Sequence, residues 1–254
     1  MSDSVKSVFK ALTAEQQALV TDCRLAGERS PDEWLQLLGP VAEFDRQSDA
    51  VREGGGGFWA RRYARKHDVP NGLRWFVVPL TLILREDQDP ERPLALSIDL
   101  SGPQQPRKLV NTSPAYKKGA YHKVVDSFYA DTWLRGHAHF ADGADVHFTV
   151  VDHIRSSSKT KCSASGKTKR KTKNKKKSEL TVTLSVPTRN YAPVAGGGRD
   201  VPKESVKRGE SRTTVKLSGT MPQPDAQAVP PIRMLLELIS AAYERVEPAR
   251  RKKL

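Results

Sequence analysis

The sequence predicts an α+β fold: a mostly antiparallel β-sheet with a long basic β-hairpin, a helical N-terminal region and a packed C-terminal helix. Three observations carry that reading. Apolar residues recur at helical spacing through the first fifth of the chain. Two segments of two-residue alternation, Asp145 to Ile154 and Glu179 to Val186, flank a single lysine-rich stretch. A proline at position 231 opens a final amphipathic run.

In order along the chain, Val5, Val8, Phe9 and Leu12, then Leu19, Val20 and Cys23, fall on helical faces. Thr13 with Gln16 has capping-box spacing, Gly27 reads as a stop, and Ser30-Pro31-Asp32-Glu33 supplies a cap, a first-turn proline and two acids. Gly39-Pro40 reads as the end of a short helix holding Trp34, Leu35 and Leu38. A further helix from Val41 to Val51 meets Gly54 to Gly57, whose backbone entropy opposes regular structure and predicts a hinge or loop. Residues 1–57 are therefore expected to form a helical N-terminal region, 58–247 an α+β core domain with the basic insertion at 155–177, and 248–254 a basic tail.

From Phe58 to His67 aromatic and basic residues interleave over helical turns. Arg61, Arg62 and Arg65 are candidates for phosphate contacts, with Trp59 and Tyr63 on a shared face available to stack on bases. The plainer alternative is an amphipathic helix that buries its aromatics and snorkels its arginines. Leu73 to Leu84 is a nearly continuous apolar run and predicts a buried strand with a bulge or edge at Pro79, paired with the alternating strand Leu94 to Leu100. A loop over 102–119 leads to Tyr121, Val124, Val125 and Phe128, whose spacing predicts a helix over 120–134 ended by Gly136. Beyond the hairpin, 187–210 reads as a loop and Arg212 to Leu217 as a strand. Ile232, Leu235, Leu236, Ile239 and Tyr243 then line the last helix.

Charge is concentrated rather than spread. The 254 residues include 43 Lys or Arg and 29 Asp or Glu, a net charge of +14, yet Arg155 to Lys177 holds eleven basic residues and no acidic one. Without that stretch the balance is 32 against 29, so one segment makes the protein basic. Its Ser, Lys and Gly content predicts an irregular segment in the free protein. Lys159, Lys161, Lys167, Lys169, Arg170, Lys171, Lys173, Lys175, Lys176 and Lys177 are the candidate phosphate contacts, with Arg199 in a glycine loop and the C-terminal basic tail as secondary ones. Lysines without interleaved aromatics favour sequence-independent backbone contact over base readout.

The chemistry-bearing residues are few. His137 and His139 form an HxH pair, and His147 and His153 follow near Asp142, Asp145 and Asp152. If Asp142-Gly143 is a two-residue turn, His139 faces Val146 and the pair turns to the apolar side. If the loop is Asp142 to Ala144, His139 pairs with His147 and the three histidines could share a Zn²⁺. The reading adopted is no metal and no cofactor, with His137, His139 and His147 the candidate ligands should one bind. Neither glycine run follows a strand and opens a helix as a nucleotide loop does, and no serine or cysteine nucleophile has its partners in context. Cys23 and Cys162 offer neither a disulfide framework nor a metal-ligand pair. The order of elements and the absence of an aromatic RNP1 segment do not match an RNA-recognition motif.

These features point to a non-enzymatic nucleic-acid-binding protein, DNA or RNA, acting as a subunit of a larger nucleoprotein assembly with protein partners and no membrane contact. The expected location is intracellular: cytoplasm or nucleoid, or the nucleus in a eukaryote. A histidine-dependent nuclease or metal-dependent hydrolase, and an assembly protein whose basic finger meets an acidic partner, are the alternatives.

Overall fold

The computed structural model describes residues 3–55, 57–162, 167–194 and 201–249. Helices α1 (Asp3–Ala11) and α2 (Ala14–Asp22) meet at Thr13, whose hydroxyl accepts from Gln16 N–H while the Gln16 side chain accepts from Thr13 N–H. Cys23 ends α2 in the left-handed conformation, φ 54°. The chain then enters a strand, β1 (Arg24–Arg29), so Gly27 lies within an extended segment rather than stopping a helix, and residues 1–57 are not helical throughout.

Helix α3 (Pro31–Ala50) starts on the Ser30 and Glu33 capping box and runs unbroken through Gly39-Pro40, where a helix end was expected. The reason is local satisfaction. Pro40 lacks the N–H that would bond the Gln36 carbonyl, and the buried Gln16 amide supplies the missing donor, reaching Gln36 O at 3.2 Å and Leu37 O at 3.1 Å. Past Gly54, at φ 149°, comes α4 (Phe58–Lys66).

The expected strand over 73–84 is helical. A π-helical turn, Leu73–Val77, leads into α5 (Val78–Asp87). Buried Leu73, Phe76, Val77, Leu80, Thr81 and Leu84 recur at three and four, while Pro79 sits in the first turn of α5, directly after the π-helical turn.

The sheet follows: β2 (Leu94–Asp99), β3 (Leu109–Thr112), β4 (Tyr116–Lys118), β5 (Tyr121–His139), β6 (Asp145–Cys162), β7 (Thr168–Pro187), β8 (Tyr191–Pro193), β9 (Lys203–Arg208) and β10 (Arg212–Gln223). The chain closes with α6 (Ile232–Tyr243) and β11 (Val246–Pro248). Nine strands form one antiparallel sheet in the order β1-β2-β5-β6-β7-β10-β9, with β3 and β4 pairing the free flank of β5; β8 and β11 form a separate pair. The segment 120–134, expected as a helix, is the first part of β5. Its valines and aromatics suit a pleated surface, and pairing on both flanks decides between the two readings. Gly136 lies inside β5 opposite Phe148, where an added Cβ would come 2.0 Å from the ring.

One face of the sheet is apolar. Leu94, Leu96 and Ile98 of β2, Val146, Phe148 and Val150 of β6, and Leu180, Val182, Leu184 and Val186 of β7 join a single buried cluster with Trp34, Phe44, Phe76 and Leu235 from the helices. β1 is hydrogen-bonded to β2, so the N-terminal segment shares this sheet and core. The opposite face is polar, as two-residue alternation requires. No helix among the described residues is long and apolar enough to cross a membrane.

Candidate nucleic-acid interface

β6 and β7 pair from Asp145↔Ser185 to Cys162↔Thr168, so the basic stretch consists of paired strand up to its last residues before 163 and after 167. An irregular segment was expected. The difference has a reason: β5 flanks β6 as far as Lys123↔Thr160, so the arm is part of a wider sheet with backbone partners on both sides of β6. The ten residue steps from Ser178 to Thr168 extend about 33 Å along the strand.

Register and alternation then sort the charges. Directly opposed residues share a face, and the pairs Arg155↔Lys175, Ser157↔Lys173, Lys159↔Lys171 and Lys161↔Lys169 all lie on the side that continues the polar face of the sheet through His153↔Lys177. Lys169, Lys171, Lys173, Lys175 and Lys177 are exposed, and Lys159 and Lys161 are half-buried. Arg170 is exposed on the reverse face, and Lys167 lies just outside the ladder.

Lys176 does not belong to this set. It is on the core side, in phase with Leu180 and Val182, and is buried with its Nζ 2.7 Å from Asp152 Oδ2 and donating to the Ala228 carbonyl at 2.7 Å. It is a structural lysine at the wall of a cavity of about 280 Å³, which Asp99, Asp131, Asp152 and Trp133 also line.

Aromatic side chains from β5 border the basic face. The Tyr121 ring lies 5.6 Å from Lys159 Nζ and 6.0 Å from Lys161 Nζ, and Phe128 lies 5.9 Å from the Arg155 guanidinium. The few carboxylates there are already neutralised. Arg155, at 2.5 Å, together with Ser157 and Tyr116, holds Asp126 well below the usual carboxylate range; Lys203 and His153 lower Glu179. Comparison with protein-family models, curated proteins and solved structures finds no match. The geometry must therefore carry the functional reading.

The other predicted contacts are dispersed. Arg61, Arg62 and Arg65 are exposed on α4, which packs through buried Ala60 and Ala64 in the helical layer with α1 and α3. Phe58 and Trp59 of the same helix are 71 % and 74 % exposed, so the expectation that the helix buries both does not hold; only Tyr63 is half-buried, against Phe9. Arg199 and the tail at 250–254 fall outside the described residues.

Neither expected register applies to the histidines. His137 is opposite His147 and His139 is opposite Asp145, which places all four on the polar face. The His137 and His147 rings stack at 3.8 Å, and the His137 and His139 rings lie 4.1 Å apart. Burial, then the neighbouring His147 and His139, push His137 down to about 4. Asp145 is lowered: burial works the other way, but the His139 bond at 2.5 Å and the Arg212 bond at 2.7 Å outweigh it. In the sequence Asp145 is only a neighbour of the histidines; the register gives it its role.

Proposed function

We propose that the protein binds nucleic acid without catalysis, gripping the phosphate backbone on the polar face of the β6–β7 arm as a subunit of a larger nucleoprotein assembly. One observation carries the reading: Lys159, Lys161, Lys169, Lys171, Lys173, Lys175 and Lys177 share a face on paired strands, beside an Arg155 already engaged by Asp126. A two-row array on paired strands sets the charges in register, neutralises successive phosphates and releases their counterions. Tyr121 and Phe128 at its margin offer stacking surfaces that tolerate any base, which fits a sequence-independent partner.

Binding of a duplex should weaken steeply with salt. Six neutralised phosphates give a slope of log K against log salt of about −5, and replacing Lys169, Lys171, Lys173 and Lys175 together with Gln should flatten it by about 3.6. An unchanged slope in a folded variant would refute the proposal. An acidic protein is the competing partner for the same charges; a complex that survives nuclease treatment of the purified material would identify it.

A further inference from the structure

We infer that His137, His139 and Asp145 form a binding site for one divalent transition-metal ion, with Zn²⁺ the ion that best fits two imidazoles and a carboxylate. The site is independent of nucleic-acid binding. The antiparallel register brings the three residues to one spot on the polar face, where one ligand atom from each lies within 4.8 Å of the other two.

The separations suit a tetrahedral ion. Bonds of about 2.0–2.1 Å place neighbouring ligands roughly 3.3 Å apart. Asp145 Oδ1 lies 2.5 Å from His139 Nδ1 and 4.0 Å from His137 Nε2, one shorter and one longer than that value. Side-chain shifts of under about 1 Å would equalise them around a metal.

His137 Nε2 is buried without a hydrogen-bond partner, an arrangement that coordination would relieve. The second shell is in place. Arg212 holds Asp145 Oδ2 at 2.7 Å and is itself anchored on Ser185 Oγ, Ser185 O and Gly143 O, which leaves Oδ1 toward the histidines. His147 stacks on His137 at an interplanar angle of 14° and fixes that ring. Arg92, 3.6 Å from Oδ1 and half-exposed, is a cation near the ligand atom that must turn away. Three protein ligands leave a fourth position for water or another donor.

The full chain, stripped with a chelator and desalted, would be titrated with Co²⁺ and Zn²⁺, with visible absorption and elemental analysis as readouts. The expected result is one equivalent per chain, tetrahedral Co²⁺ bands, and their loss when Zn²⁺ is added. Asp145→Asn and His139→Ala should each abolish uptake, His147→Ala should keep it, and Arg212→Lys should weaken it by about tenfold or more. Asp145→Asn preserves side-chain shape, and circular dichroism of each variant separates ligand loss from unfolding. Substoichiometric uptake by the parent chain, or full uptake by folded Asp145→Asn protein, would overturn the inference. Because no nucleic acid is present, neither result bears on the salt-dependence experiment.

Discussion

At the scale of single residues, two side chains of the basic stretch separate stability from binding. Lys176 and Asp152 form an ion pair with both side chains below 10 % exposure, and the Ser178 hydroxyl completes the carboxylate. Lys176→Ala leaves that charge unpaired and should cost about 3–5 kcal/mol in urea unfolding. Lys171→Ala, on the exposed face, should stay within about 0.5 kcal/mol and weaken polyanion binding instead. Asp45 gives a pH signature. It is fully buried, neither carboxylate oxygen has a hydrogen bond, Arg74 Nε is 3.5 Å away, and burial raises it to about 6. The folded state therefore holds this proton more tightly than the unfolded chain. Stability should fall between about pH 4 and pH 6 by an amount on the order of 2–3 kcal/mol, and Asp45→Asn should remove that loss in unfolding curves taken at the two ends.

At the scale of elements, the strands around the basic stretch and the last helix were legible because their alternation and punctuation are local. The orientation of the lysines follows only once the stretch is strand, whereas an irregular segment with Lys176 as a contact was expected. Lys176 is an even-numbered residue in phase with Leu180, Val182, Leu184 and Val186, so alternation alone turns it inward. The segment 73–84 held its own correction in the three-and-four recurrence of Leu73, Phe76, Val77, Leu80 and Leu84, but in a nearly unbroken apolar run two periodicities fit. For 120–134 little that is local could decide. Only the three residues of β4 are local, across the turn at Gly119; β2, β3 and β6 pair with it from farther along the chain, and pairing outweighs propensity. The histidine and aspartate cluster was hidden for the same reason, since a one-residue change of register moves every side chain to the other face. Pro40 within α3 was illegible because the donor that replaces its missing N–H comes from Gln16, a helix away.

At the scale of the whole molecule, an apolar body and a charge-loaded extension share one continuous sheet, and no boundary in β5, β6 or β7 divides them. The body has its core; the extension has backbone pairing, the side-chain network around Asp126 and a few aromatic contacts. Within the extension Lys159 faces Lys171 and Lys161 faces Lys169, and like charges placed directly across a ladder repel. The free arm is therefore a spring held against its own charge, and its order is tied to whatever counters that charge. By reciprocity, a polyanion that binds the arm must also tighten it. Amide exchange at 159–161 and 169–175 should slow in concentrated salt and slow further with a bound oligonucleotide, while exchange in the strands over the core stays unchanged. Uniform protection of the arm in all three conditions would show that backbone pairing alone holds it. If exchange does slow, the protein measures the charge density of its partner through the rigidity of its own strands.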